Sequence, residues 1–188
     1  MTSTIIGGYL ELILGPMFSG KTTRLIDIYN SLYADNKNIK VINYTGDTRY
    51  HDSMLSTHDK VMIPCVFANK IQDVCQPDNI HTYDIILINE GQFFPDIVEW
   101  TKIVIGHPHN KRVYICGLDG DFKRNVFGNW LDLIAYSDTV QKLTSICLDC
   151  RDEPAIFIHR MTCEMQQKVI GSESYIPLCR SCYEKRCV

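Results

Sequence analysis

Short runs of apolar residues recur along the chain at the length of β-strands. Four runs are apolar almost throughout and cover residues 9–14, 40–44, 85–88 and 113–116. Strands with one face in water alternate between apolar and polar residues, whereas strands covered on both faces are apolar at nearly every position. The four runs therefore predict the buried strands of a mostly parallel sheet.

Between these runs the apolar residues follow the period of an α-helix. Within residues 21–34, Leu25, Ile28, Tyr29 and Leu32 have the i, i+3, i+4, i+7 spacing that places them on one helical face. Further helical patterns lie near residues 70–75, 97–105 and 128–136. Strands that alternate with helices predict an α/β fold in which helices flank the sheet.

The composition is that of an ordinary globular protein and narrows the possible functions. Of the 188 residues, 45% are hydrophobic and 22% are charged, and the formal net charge is -3. This weakly acidic balance argues against a protein whose main task is to neutralise nucleic-acid phosphates. No run reaches the roughly 18 apolar residues of a membrane span, and the start of the chain lacks the basic region of a secretion signal. We therefore expect a cytoplasmic protein whose nine cysteines serve as thiols or metal ligands.

A glycine-rich motif lies between the first predicted strand and the first predicted helix. The segment is Gly15-Pro16-Met17-Phe18-Ser19-Gly20-Lys21-Thr22, which fits G-x-x-x-x-G-K-[ST] in the context that this motif requires. Its glycines allow successive backbone N–H groups to point at phosphate oxygens. Lys21 is expected to reach the β- and γ-phosphates, and the Thr22 hydroxyl is expected to bind Mg²⁺. The motif predicts a P-loop NTPase core that binds ATP with Mg²⁺.

Two polar residues follow the apolar run 85–88. Asn89 comes first and Glu90 second, at the carboxyl end of a strand, where open α/β folds bind their ligands. Glu90 could serve as a general base toward a hydroxyl acceptor or position a water, or it could be a solvated residue at a strand end. Asn89 can offer only a neutral oxygen to a magnesium-bound water, so we expect weaker Mg²⁺ holding than an Asp would give.

Four cysteines form two C-x-x-C pairs near the end of the chain, Cys147 with Cys150 and Cys179 with Cys182. Two such pairs supply the four thiolates of a tetrahedral structural zinc site. A redox role is less favoured because the sequence pattern indicates no helix that starts at either pair after a strand. Residues 151–178 would then form a long loop that is clamped at its base. We predict two domains, a nucleotide-binding kinase domain over 1–145 and a zinc-binding domain with a substrate loop over 146–188.

Taken together, these motifs resemble the zinc-containing type of thymidine kinase. The resemblance rests on the segments 15–23 (GPMFSGKTT), 47–50 (DTRY), 57–59 (THD), 90–94 (EGQFF) and 118–120 (LDG) with Phe122, followed by the two cysteine pairs. It covers nearly the whole chain, from about Tyr9 to Cys182. It implies transfer of the ATP γ-phosphate to the 5′-hydroxyl of thymidine, with Mg²⁺ and a structural Zn²⁺, a homotetramer and feedback inhibition by dTTP.

The resemblance also implies roles for individual residues. Glu90 matches the catalytic base. Besides the glycine-rich loop, the residues matched to ATP contacts are Asp47, Thr48, Arg49, Asn89, Gly91 and Gln92. The residues matched to the base and sugar pocket are Met17, Phe93, Leu118, Phe122 and Phe127. The lasso segment that binds the thymine edge corresponds to Gln167, Lys168, Val169, Ile170 and Gly171, and Tyr175 packs on it.

Two departures from the family pattern bear on function. Asn89 stands where the family has Asp, which implies altered Mg²⁺ handling and lower activity. The lasso is one residue shorter before Tyr175 and has Ser172 where a second glycine is common, which implies relaxed base selectivity. Two alternatives stay open at this point: a nucleotide-gated, zinc-ribbon ATPase that binds nucleic acid, and a kinase homologue of low activity.

Overall fold

The computed structural model describes residues 7–46, 53–57, 59–167 and 174–186. Up to residue 142, the described residues form eight strands, two α-helices and four 3₁₀ turns. The strands are β1 (Tyr9–Leu14), β2 (Ile39–Tyr44), β3 (Met54–Ser56), β4 (Met62–Pro64), β5 (Val66–Ala68), β6 (Ile85–Ile88), β7 (Arg112–Gly117), β8 (Thr139–Lys142), β9 (Ser145–Ile146), β10 (Pro154–Ala155), β11 (Phe157–Arg160) and β12 (Tyr175–Leu178). The helices are α1 (Lys21–Tyr33), α2 (Ile97–Ile105) and α3 (Arg180–Arg186).

Six strands form one sheet in the order β5-β2-β6-β7-β1-β8. Every neighbouring pair in it is parallel, which confirms the predicted fold class. Because all strands run the same way, their carboxyl ends lie along one edge. The segments that follow β1, β6 and β7 therefore emerge side by side, and these three strands are neighbours in the sheet.

Successive residues of the central strands enter two separate hydrophobic cores. In β6, Ile86 and Ile88 belong to the core that contains α2, whereas Ile85 and Leu87 belong to the core that contains α1. All four side chains are at most 1% exposed. This burial on both faces explains why the strand is apolar at every position.

Two of the predicted helices are 3₁₀ turns in the structure. Ile71–Asp73 and Trp130–Tyr136 replace the helices expected near 70–75 and 128–136. At the first turn, the carboxylate of Asp96 accepts hydrogen bonds from the backbone N–H groups of Ile71 and Gln72 at 3.1 and 3.0 Å. This long-range contact caps a single turn, and no local sequence pattern predicts it.

The C-terminal part is built from short antiparallel pairs and one short helix. β9 pairs with β10, and β11 pairs with β12. Its small core consists of Cys147, Ala155, Leu178, Cys179, Cys182 and Tyr183. The cysteines are therefore half of this core.

Candidate active site

The glycine-rich loop connects β1 to α1 at the carboxyl edge of the sheet. Gly15 has a φ of 153°, and a Cβ on it would lie 2.6 Å from the carbonyl oxygen of Leu143. Gly20 adopts the left-handed conformation with a φ of 81° directly before α1. Side chains at these two positions would clash or strain the backbone. The glycines of the motif therefore allow the sharp entry into α1.

Lys21 is held inside this loop. Its side chain is buried, and Nζ donates a hydrogen bond to the carbonyl oxygen of Pro16 at 2.6 Å. The Ser19 hydroxyl donates to the same oxygen at 2.8 Å. As the first residue of α1, Lys21 places its charge at the helix N-terminus, where the helix dipole also favours anions. The positively charged side chain of Lys21 and the N-terminus of α1 therefore lie next to each other, an arrangement that favours an anion.

The amide of Asn89 connects this loop to the neighbouring strands. The Thr22 hydroxyl donates to its Oδ1 at 3.3 Å, and the Cys116 thiol donates to the same oxygen at 3.0 Å. Nδ2 of Asn89 donates to Oδ1 of Asn43 at 2.9 Å. Both Asn side chains are 2% exposed. Asn43 was not among the predicted site residues, although a polar residue inside the apolar run 40–44 was a signal for it.

Glu90 lies two residues after the end of β6 and is fixed by Gln92. It has a φ of 60° and is half-buried, and its Oε2 accepts a hydrogen bond from Nε2 of Gln92 at 2.6 Å. Oε1 of Gln92 in turn accepts from the backbone N–H of Leu118 at 2.9 Å. Gly117 must lack a side chain here, because a Cβ would lie 2.5 Å from Oε1 of Gln92. Gln92 thereby ties the carboxylate of Glu90 to the end of β7.

An apolar cluster lies beside these groups and contains the five predicted pocket residues together with Tyr175, which was predicted to pack on the lasso. Its buried members are Leu118, Phe127, Ile158 and Tyr175, and Met17, Phe93 and Phe122 pack against them. The rings of Phe93 and Phe127 meet edge to face with their centroids 5.3 Å apart. We call this group the aromatic cluster. The structure thus brings together residues from the ends of β1, β6 and β7 with residues from β11 and β12.

Two residues of β11 contact this region and were not predicted. Ile158 belongs to the aromatic cluster, and Arg160 is buried beside it. They lie on the same face of β11 because their positions differ by two. With only four residues, the strand shows too little alternation for the sequence to reveal it.

Some of the predicted site residues lie outside the aromatic cluster or outside the described part of the chain. Gln167 is described, and its Nε2 donates to Oδ2 of Asp121 at 2.9 Å. Asp47, Thr48 and Arg49, which were predicted to contact ATP, lie outside the described residues. The same holds for four predicted lasso residues, Lys168, Val169, Ile170 and Gly171.

The four predicted metal ligands converge. The Sγ atoms of Cys147, Cys150, Cys179 and Cys182 all lie within 4.8 Å of one another, and those of Cys150 and Cys179 are 3.9 Å apart. Zn–S bonds of 2.3 Å in a tetrahedron place sulfurs about 3.8 Å apart. The spacing therefore fits zinc. The expectation that neither pair starts a helix after a strand is wrong for the second pair, because Cys179 lies between β12 and α3. The convergence of all four sulfurs is what favours a metal site over a redox pair.

The opposite pKa shifts of two of these thiols are also consistent with a site for a cation. Burial raises the pKa of the Cys147 thiol, but hydrogen bonds from nearby backbone N–H groups outweigh burial and lower the pKa to about 6. Hydrogen bonding to Cys179 and burial raise the pKa of Cys182 to about 12. Four crowded sulfurs cannot all ionise by themselves, because each thiolate disfavours the next. A divalent cation at their centre would compensate the charge.

The chain matches one protein family over almost its whole length. Residues 8–183 match the model of the thymidine kinase family. Thymidine kinase 1 of Dictyostelium discoideum is 37% identical over 190 residues, which cover 97% of this chain and 81% of that protein. The thymidine kinase of Variola virus is 41% identical over 178 residues, covering 94% of this chain and 97% of the viral protein.

The chain is also similar to a mammalian protein. The cytosolic thymidine kinase of Bos taurus is 39% identical over 180 residues, covering 95% of this chain and 73% of the bovine protein. Within the described residues, no helix has both the length and the hydrophobicity that a membrane crossing requires. The extent of the family match and the identity to cellular and viral relatives lead to one conclusion: this chain belongs to the thymidine kinase family.

Proposed function

We propose that this member of the thymidine kinase family transfers the γ-phosphate of ATP to the 5′-hydroxyl of thymidine and releases thymidine 5′-monophosphate. One observation carries the proposal: the glycine-rich loop, Glu90 and most residues of the aromatic cluster follow three adjacent parallel strands at one edge of the sheet. Such a transfer needs three parts: a site for the phosphate donor, a general base, and an apolar pocket for the nucleoside.

The ATP site in this proposal is built around the glycine-rich loop. Backbone N–H groups of the loop and Lys21 would hold the phosphates, with Gly91 and Gln92 at the end of β6 and the segment Asp47, Thr48 and Arg49 as further contacts. Thr22 and Asn89 would hold Mg²⁺, directly and through a water, because hydroxyl and amide oxygens suit a hard cation. When bound, Mg²⁺ neutralises charge on the transferring phosphate.

Glu90 would remove the proton from the 5′-hydroxyl of thymidine. A carboxylate is suited to this if it lies within hydrogen-bond reach of the hydroxyl and is held in one orientation. The hydrogen bond from Gln92 provides that orientation, and Gln92 is itself fixed by the backbone of Leu118. The proton leaves the hydroxyl as its oxygen bonds to the γ-phosphorus, and the bond from this phosphorus to the bridging oxygen breaks to leave ADP.

The aromatic cluster would enclose the thymine ring and the sugar. Thymine has an apolar methyl group and an edge that presents an acceptor, a donor and a second acceptor. The proposed lasso, from Gln167 to Gly171, would pair this edge with backbone groups. Buried backbone groups reject a base that leaves them unpaired, so the pocket favours thymidine.

The four cysteines would hold a structural Zn²⁺. With all four positions filled by thiolates, no position remains for a substrate. The metal would instead anchor both ends of the segment 151–178, which contains β11, the lasso and β12. This anchoring is its proposed contribution to substrate binding.

Three finer elements of the proposal rest on family resemblance: a homotetramer, inhibition by dTTP, and a cytoplasmic location. The bovine relative is named a cytosolic thymidine kinase, which supports the last of these. The family match favours a kinase over a nucleic-acid-binding ATPase. A kinase of low activity stays a second candidate because Asn89 brings no charge to Mg²⁺.

A transfer assay tests the proposal. Purified protein with Mg-ATP is given each of the four deoxynucleosides, and ADP and the 5′-monophosphate are followed together. We expect ADP and thymidine monophosphate in equal amounts with thymidine, and much less product with the purine nucleosides. ADP release without an acceptor would instead support the ATPase alternative.

A further inference from the structure

Arg160 is a buried cation at the end of β11. The residue is 5% exposed, and among the described residues no carboxylate lies within 4.0 Å of its guanidinium. Burial of a charge is costly unless hydrogen bonds compensate it. The buried charge of Arg160 must therefore be stabilised by the hydrogen bonds that its N–H groups donate.

All five N–H groups of this guanidinium are used. Nε and one terminal nitrogen donate to the hydroxyl of Tyr175 at 3.1 and 2.5 Å. The remaining three hydrogen bonds go to backbone carbonyl oxygens, those of Glu164 at 2.7 Å, Gln166 at 2.5 Å and Gln167 at 3.1 Å. Five bonds exhaust the donors of an arginine. Arg160 thus holds the segment 164–167 by its main chain.

The same guanidinium stacks on the ring of Phe122 and lies beside the ring of Tyr175, both in the aromatic cluster. Its Cζ lies 3.7 Å from the ring centroid of Phe122 and 5.0 Å from that of Tyr175. Cation–π attraction is strongest where the cation is shielded from water. A planar guanidinium can stack and donate in its plane at once, which an ammonium cannot do. Arg160 therefore links the rings to the segment 164–167.

A second buried group fixes the same segment from the other side. Asp121 is 4% exposed, and its Oδ1 accepts hydrogen bonds from the backbone N–H groups of Lys123 and Asn125 at 2.8 and 2.9 Å. Its Oδ2 accepts from Nε2 of Gln167 at 2.9 Å. Gln167 is consequently held twice, by its carbonyl to Arg160 and by its side chain to Asp121.

We propose that Arg160 is a positioning residue for the nucleoside. Its contacts hold three groups in fixed relative positions: the ring of Phe122, the ring of Tyr175 and the segment 164–167. Arg160 acts on the nucleoside through these groups and does not touch it. This inference rests on the proposed function, because it concerns how that site binds thymidine. It predicts that loss of Arg160 weakens thymidine binding and leaves the ATP site intact.

The exposure of the segment explains why the fold survives such a change. Glu164, Gln166 and Gln167 are exposed, so their carbonyl groups can bond to water when the guanidinium is absent. The segment 164–167 would lose its hydrogen bonds to the guanidinium, but the zinc ligands and the parallel sheet would keep their contacts.

The test compares Arg160→Lys and Arg160→Met with the wild type. Arg124→Lys is the matched control, since Arg124 also stacks on rings of the C-terminal part, at 4.9 Å from that of Tyr183, but lies at the surface. We expect the KM for thymidine to rise at least about tenfold in both Arg160 variants, because each loses several charge-assisted hydrogen bonds. The KM for ATP and the zinc content stay at their wild-type values, and the control changes neither KM.

A binding measurement supplies a readout independent of turnover. Thymidine should protect the wild type from cleavage after Glu164 by a glutamate-specific protease, and this protection should be lost in the Arg160 variants. Unchanged thymidine KM values beside an active wild type would overturn the role of Arg160 alone. Equal increases in both KM values would also overturn it. A wild type that forms no thymidine monophosphate would instead contradict the proposed function, and this inference with it.

Discussion

At the scale of single residues, the orientation of the buried Asn89 amide decides whether its oxygen or its nitrogen faces the proposed Mg²⁺ position. Oδ1 of Asn43 already accepts from the backbone N–H of Tyr44 at 2.9 Å. It also accepts from Nδ2 of Asn89. This contact directs the oxygen of Asn89 toward the Thr22 hydroxyl. The site therefore keeps an oxygen next to Thr22 although the charge of an aspartate is missing.

Asn89→Asp should improve Mg²⁺ handling at a cost in stability. The new carboxylate adds a charge beside Thr22, so half-maximal activity should need less Mg²⁺. It also removes the donor to Asn43 and sets two acceptor oxygens against each other, which costs about 1–3 kcal/mol and lowers the Tm by roughly 2–4 °C per kcal/mol. A Mg²⁺ titration and thermal unfolding measure the two effects.

The control for this substitution is Asn79→Asp, because Asn79 is exposed and lies far along the chain from the loop. We expect no change in its Mg²⁺ dependence. If Asn89→Asp lowers the Tm but leaves the Mg²⁺ requirement unchanged, Asn89 has a structural role only.

At the scale of elements, burial decides what the sequence could predict. Two strands were predicted with their observed bounds, Tyr9–Leu14 and Ile85–Ile88, because strands covered on both faces are apolar throughout. β8 was missed because it lies at one edge of the sheet and three of its four residues are exposed. The pattern of hydrophobic residues in a sequence reflects which residues are buried, and an exposed edge strand has few buried residues.

The aromatic cluster shows a second limit of the same kind. Its members from β1, β6 and β7 were found through short motifs beside those strands. Ile158 and Arg160 were missed because β11 acquires its alternation of buried residues only by pairing with β12 across the lasso. Such a long-range contact leaves no local signal. Both cysteine pairs, by contrast, were predicted from their spacing alone, because each ligand pair is local.

Loss of one zinc ligand should release the C-terminal part. Cys179 directly follows β12, the strand that carries Tyr175, so Cys179→Ser should abolish zinc binding, lower the Tm and raise the KM for thymidine. Binding of structural zinc contributes directly to folding free energy. Metal analysis of the wild type should give about one zinc per chain, as four thiolates complete one site.

Cys163→Ser is the matched control, since Cys163 is an exposed cysteine outside the cluster. It should keep its zinc and change the free energy of unfolding by no more than about 0.5 kcal/mol. Wild-type protein that contains no zinc after purification without a chelator would contradict the structural-metal account.

At the scale of the whole molecule, the parallel sheet and the zinc-binding part supply different halves of one site. In the proposed site, the sheet provides the glycine-rich loop, Asn89 and Glu90 along its carboxyl edge, and the C-terminal part provides Ile158 and Tyr175 for the aromatic cluster. The division into domains at residues 145 and 146 and the homotetramer stay predictions. Neither follows from the contacts within one chain.

The most direct test of the account is the kcat for thymidine phosphorylation in Glu90→Gln. Glutamine keeps the shape of the side chain but cannot accept the proton, so kcat should fall by about 10²–10⁴-fold while the KM for ATP stays near the wild-type value. Glu99→Gln on α2, whose side chain is 77% exposed, should retain full activity. A Glu90→Gln protein that keeps more than about a tenth of the wild-type kcat would contradict the assignment of Glu90 as the base.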